Sequence, residues 1–296
     1  MKQHKKPTVV VLLVLVSAVS CTRTQEQPSQ ETPLQTTEQV QQTAEQPNKP
    51  DQNTMVAPEQ IIKPEPAVSQ DSIEAFPGVY VNREQRYVEF DGEIAIDAHH
   101  LRPGVRVPPK PTHEHVAVSA DKPIVYLELI ACSTGTKDHE SIVSTDIQPS
   151  HIHAALLMIG AESGTPGTFR WEGREVFPVD PTGGGLCVAV VFADSTVLDV
   201  RDMILDVRTG ETMHKTKPDT AWVFAGSKFV EHNGREVYAS DGTGIIVGLA
   251  TFGTELAGYA QTFSHESEAE TPVWIADAAS TPEVGSHVRV RLSLMR

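Results

Sequence analysis

From Phe76 to the last residue, apolar positions come in short runs that alternate with polar ones and break at Gly, Asn, Asp or Pro. "GVYVN", "RYVEFDGEIAID" and "IVYLELIAC" are brief, rich in β-branched and aromatic residues, and bounded by turn formers, which predicts strands. "FRWEGREVFPV" predicts a hairpin turning at Glu172-Gly173, and "GLCVAVVFAD" a buried strand. "AWVFAGSKFVEHNGREVYASDGTGIIVGLA" predicts three strands with turns at Asn233-Gly234 and Asp241-Gly242. "SHVRVRLSLM" alternates along its whole length and predicts a closing strand. Helical signals are confined to "TKDHESIV" and "SHIHAALLMIG", the second opened by Pro149 and Ser150 and stopped by Gly160. The expected class is therefore α+β: mostly antiparallel β-sheet with two short helices between Thr136 and Gly160.

The residues before Phe76 follow a different pattern. Lys2, Lys5 and Lys6 precede an unbroken apolar run from Val9 to Val16, with small residues Ala18 and Ser20 ahead of Cys21. The run is far short of the ~20 apolar residues a spanning helix needs, so 1–20 is expected to be an export signal. "AVSC" resembles the lipobox of bacterial lipoproteins, with Ala18 where leucine is usual. That resemblance implies lipidation of Cys21, export, and anchoring to the bilayer by the lipid. Thr22, rather than Asp, after the cysteine implies an outer-membrane destination under the sorting habit of enteric-type envelopes, with the domain facing the periplasm or the exterior. Residues 21–75 hold no Phe, Tyr or Trp and are dominated by Gln, Thr, Pro and Glu. Such a composition buries too little apolar surface to offset ordering entropy, so this stretch is expected to be a disordered tether. As a flexible coil of about 50 residues it would reach roughly 40 Å. Residues 76–296 remain as one globular domain.

Charge narrows the partners. Lys+Arg number 24 against 39 Asp+Glu, a formal net charge of −15, and removing 1–20 takes three more lysines away. So acidic a chain has no electrostatic footprint for nucleic acid, and anionic headgroups would repel it, which leaves anchoring to the lipid.

Candidate chemistry concentrates in "CSTGTKDHESIVSTDIQPSHIHAALLMIGA", Cys132 to Ala161. Seven of the 12 histidines, His99, His100, His113, His115, His139, His151 and His153, lie within a third of the chain. Zinc or copper sites take neutral imidazoles with a thiolate or carboxylate, and Cys132, His139, Glu140, His151 and His153 supply such a set. Helix residues two apart point about 200° from each other, so His151 and His153 converge only in an irregular first turn. The competing reading makes His153 a core side chain and pairs His139 with His151 structurally, with no cofactor required. "THEH", Thr112–His115, is a second His-x-His, but Val118, Ser119 and Ala120 stand where a cupin-type site needs glutamate. A nucleophile reading would use Cys132 or Ser141 with His139 as base and Glu140 or Glu128 as orienter; no Gly-x-Ser-x-Gly elbow supports it. In an oxidising compartment Cys132 and Cys187 could instead form a disulfide, which would remove Cys132 from any ligand set.

Taken together, "LELIACSTGTKDHESIV", "QPSHIHAALLMIGAESGTP", "RTGETM", "AWVFAGSKF" and "GTGIIVGLATF" resemble, in order, the YdjY-type domain of exported bacterial proteins and lipoproteins. The resemblance runs from about Val88 to the C-terminus and implies architecture and export, with no activity attached. "HHLRPGVRVPPKPTHEHVAVSADK" stands as an insertion relative to that pattern, and the iron–sulfur cysteines of some relatives have no counterpart, since no Cys-x-x-Cys occurs. The expectation is a membrane-anchored lipoprotein domain serving binding or envelope structure through an envelope ligand or protein partner. The alternative is a metal-binding protein or metallohydrolase using the His/Cys/Glu cluster.

Overall fold

The structure, a computed structural model, describes residues 64–98, 117–119, 122–123, 125–219, 221–265 and 271–295. The export signal, Cys21, the tether as far as residue 63, and His99, His100, His113 and His115 lie outside the described residues. No helix among the described residues is long and apolar enough to cross a membrane.

Eleven strands form one sheet. They are β1 Ile73–Phe76, β2 Val79–Asn82, β3 Tyr87–Ile94, β4 Leu129–Ser133, β5 Ser141–Thr145 and β6 Gly185–Val191, followed by β7 Val197–Asp199, β8 Trp222–Val223, β9 Ile245–Gly248, β10 Gly258–Tyr259 and β11 His287–Leu294. The order is β9-β4-β5-β3-β11-β6-β8-β10, with β2 also on β3, β1 on β2, and β7 on β6. The two ends nearly meet: Ala257, just before β10, bridges Val247 of β9, its N–H donating to the Ile246 carbonyl at 2.8 Å and its carbonyl accepting from Gly248 at 2.9 Å. The sheet thus curls into a nearly closed barrel. β1 begins ahead of the expected boundary at 76, and Pro66 is already buried.

Strand alternation sorts the side chains to either face of the wall. Val81, Val88, Leu292 and Val188 lie opposite one another across four strands, and so do Val79, Phe90, Val290 and Val190; all are buried. On the other face Asp91 faces Arg289 and Glu89 faces Arg291, with Nε to carboxylate distances of 2.6 and 2.7 Å. The guanidinium groups of Arg289 and Arg291 stack on Tyr80 and Tyr87 at 4.5 and 4.3 Å. Helix α1, Pro149–Met158, adds Ile152, Ala155 and Leu156 to the same core.

All pairs in the sheet are antiparallel except β4 with β5. A parallel pair usually needs a connection of roughly a dozen residues or more, yet residues 134–140 suffice. The loop folds back on itself: Thr134 N–H donates to Thr145, and Asp138 accepts from the Gly135 N–H at 2.9 Å.

Helix is sparser in this region than its polar pattern predicts. "TKDHESIV" yields a single 3-10 turn, Asp138–Glu140, followed directly by β5, because Ile142, Val143 and Thr145 are β-branched and buried in the wall. Two other short helices occur, α2 Met213–Thr216 and α3 Ala239–Thr243. α3 occupies the place of the expected Asp241-Gly242 turn, and Gly244, at φ 72°, closes it in the left-handed conformation. Asn233-Gly234 does turn a hairpin, Phe229–His232 with Arg235–Tyr238, both turn residues having positive φ. The hairpin Thr168–Glu172 with Glu175–Val179 turns one residue later than expected, at Gly173-Arg174.

Candidate functional site

The residues nominated by sequence are held by different elements, and each has a local role. Cys132, next to last in β4, sits in a small buried cluster with Leu129 and Ile245. Its thiol donates to Asp138 Oδ1 at 3.5 Å. Burial pushes the Cys132 thiol up, outweighing the hydrogen bonds from Ser141 and the loop that favour thiolate, so it is a poor nucleophile or ligand. Ser141 is fully buried and donates to the Val143 carbonyl at 2.9 Å.

Above that cluster, Lys137 Nζ lies 2.8 Å from both Glu128 and Glu140 and 5.0 Å from the centre of the Phe252 ring. Burial raises Glu128, helped by the neighbouring Glu140 and only partly offset by Lys137. Burial acts on Glu140 in the same sense, but hydrogen bonds from Lys137 and Glu128 win and hold it below the usual carboxylate range. His139 is 72% exposed and meets only Glu140, at 3.5 Å.

The two histidines of α1 diverge, as their spacing requires. His151 stacks on Phe76, ring centres 4.5 Å apart and planes within 5°. His153 turns instead to Tyr238 and Phe224. Its Nδ1 lies 2.9 Å from the Tyr238 hydroxyl, which donates its proton to the Gly226 carbonyl at 3.0 Å. Tyr238 has one proton to give, so His153 carries its own on Nδ1 and is the donor. Burial lowers the His153 pKa, with the Gly226 contact opposing weakly. Burial raises Tyr238 well above the ordinary phenol, with the Asp241 charge adding to it. Asp241 also accepts from the Ser150 N–H at 2.8 Å. This network ties α1, α3 and the 229–238 hairpin together. Tyr238 carried no signal in the sequence beyond its strand position.

Among the described residues no three of His, Cys, Asp and Glu gather as a metal would require. Of the five nominated ligands only the adjacent His139 and Glu140 meet, at 3.5 Å, while Cys132 turns to Asp138, His151 to Phe76 and His153 to Tyr238. Of the two alternatives for Cys132 and Cys187, a bridge or two free thiols, the structure has free thiols, Cys132 buried and Cys187 exposed. β4 and β6 are separated by β5, β3 and β11 on one side and by β9, β10 and β8 on the other. At about 4.8 Å per strand that separation far exceeds the Cα distance of about 7 Å a disulfide can span.

Outside the wall the 168–179 hairpin stands nearly free. Cross-strand pairing puts Phe169, Trp171, Val176 and Pro178 on one face, with Trp171 69% and Val176 42% exposed.

A largely antiparallel, nearly closed barrel with one helix packed into its core defines the class of domain. The chain belongs to the YdjY domain family, whose model matches residues 79–293. No curated protein and no solved structure matches it.

Proposed function

We propose that this YdjY-domain protein is an exported lipoprotein, anchored through lipid on Cys21 and carrying its domain on the 21–75 tether as a non-catalytic binding module of the cell envelope. The observation that carries the binding reading is the apolar face of the 168–179 hairpin, Phe169, Trp171, Val176 and Pro178, of which all but the half-buried Phe169 are left exposed by the described residues. An isolated two-stranded hairpin has little stability of its own, and aromatic side chains exposed together on one face are what interfaces use as anchors. The lipid anchor is supported by the basic start, the apolar run and "AVSC".

A photo-crosslinking side chain placed at Trp171, and separately at Val284, which is also exposed, tests the module in intact cells. Defined crosslinks from Trp171 and none from Val284 are expected; the same pattern at both positions, or none at Trp171, contradicts the reading. Cys21→Ser should move the protein from the membrane fraction to the soluble one.

A further inference from the structure

At the foot of the same hairpin lies a cavity of about 480 Å³, which shares Lys217, Tyr259 and Gln261 with a neighbouring one of about 340 Å³. Thr262, on its wall, bonds the hairpin base, its N–H to Asp180 and its hydroxyl to the Val179 carbonyl. Together the two hollows fall in the range of small-molecule sites.

The side chains that line it come from separate parts of the chain. A short strand pair, Ile204–Asp206 with Trp274–Ala276, sets Asp206 opposite Trp274. Two residues on, Arg208 returns to bind the buried Asp206 through Nε and Nη2, which leaves Nη1 unengaged. Burial would raise the Asp206 carboxyl, but its hydrogen bonds from Arg208, with the Arg208 and Lys217 charges, hold it low. Lys217 closes α2 and is exposed; its ammonium makes no hydrogen bond or ion pair among the described residues. Gln261 is exposed, and its amide likewise has no partner among them.

Trp274 is the most informative of these residues. It is only 6% exposed, and its indole N–H opens to solvent at the cavity with no protein acceptor among the described residues. By contrast the more deeply buried Trp222, 1% exposed, donates to the Gly248 carbonyl at 2.8 Å. Every unengaged group named here can donate, and two of them are cationic. Among the described residues, Asp219 is the one acidic side chain lining either hollow.

We propose that this cavity is a binding site for a small hydroxylated-ring anion, a sugar-sized molecule bearing a carboxylate or phosphate. Lys217 and the free edge of Arg208 hold the anionic group, Trp274 and Gln261 donate to ring oxygens, and Tyr259 walls the ring. The site stands whether or not the hairpin docks a partner, since none of its donors belongs to the hairpin.

The full-length chain in detergent, titrated calorimetrically with glucuronate, glucose 6-phosphate and neutral glucose, tests it. At least one of the two anions should saturate with a Kd below about 1 mM, with glucose at least about tenfold weaker. Lys217→Ala removes an exposed side chain that makes no hydrogen bond or ion pair among the described residues and should weaken binding about tenfold; Trp274→Phe keeps an aromatic ring without the N–H and should weaken it several-fold, at roughly 1 kcal/mol for a lost hydrogen bond. Lys217→Ala should melt as the parent does, while Trp274→Phe, which trims a buried side chain, should melt somewhat lower and stay folded at the titration temperature. No saturation by either anion up to about 10 mM, equal binding of glucose, or an unchanged Lys217→Ala overturns the proposal. A null result here leaves the crosslinking test of the hairpin unaffected.

Discussion

The segment from Cys132 to Ala161 and the cavity between Arg208 and Trp274 contain similar polar groups and use them in opposite ways. In the first, the chemically suggestive side chains bind their own neighbours: His153 holds Tyr238, Lys137 holds Glu128 and Glu140, and Cys132 donates to Asp138. In the second, Lys217, Gln261 and Trp274 are left with donors and no acceptor among the described residues. A dense run of reactive residue types therefore marks a junction of β4, β5 and α1, while the better candidate for recognition is drawn from distant stretches of unremarkable composition. The comparison teaches that unsatisfied capacity, more than residue type, distinguishes a site from a scaffold.

The largest effect that would sharpen this contrast comes from Tyr238→Phe. Its hydroxyl accepts from His153 and donates to Gly226 inside the fold, so its loss should destabilise the chain by about 1–3 kcal/mol, read as a lower urea midpoint at unchanged slope. A variant as stable as the parent would break the claim that this network is structural.

Next comes pH. The folded state keeps His153 neutral below its ordinary value because of burial, whereas the unfolded chain takes the proton near pH ~6.5. Stability should be full above that pH and fall as pH drops through it towards the lower folded pKa. His153→Gln should flatten that decline. Taking the difference between parent and variant removes the carboxylates, including Glu128, from the comparison. A parallel fall in both would contradict the assignment.

Metal should have a smaller effect. Zinc added to the metal-free chain should leave the melting temperature of the parent and of a His139→Ala/His151→Ala variant alike. Zinc bound near one equivalent in the parent and lost in that variant would restore a metal site to the segment. Smallest is Glu140→Gln: Lys137 keeps Glu128 as a partner, so the loss should stay within about 1 kcal/mol by urea unfolding.

Much of the barrel was legible because its signals are local. Alternation in "SHVRVRLSL" places Val288, Val290 and Leu292 inward and Arg289 and Arg291 outward. Asn233-Gly234 turns where expected because both residues tolerate positive φ. The spacing of His151 and His153 correctly argues against convergence. Errors arose where polar residues mimic helix starts. Asp138–Glu140 is a crossover turn rather than a helix, and Asp241-Gly242 sits inside α3 because the left-handed closure falls on Gly244. The cavity was illegible for a different reason. Arg208 meets Trp274 only through a strand pair, and Tyr259 and Lys217 arrive from other elements, so no spacing along the chain announces them.

The most direct test places the two regions side by side. Glucuronate and glucose 6-phosphate should be titrated against the parent, His139→Ala/His151→Ala and Lys217→Ala, all as full-length chains. The account predicts that the histidine variant binds as the parent does while Lys217→Ala weakens binding about tenfold. Binding lost with the histidines and retained without Lys217 would contradict it.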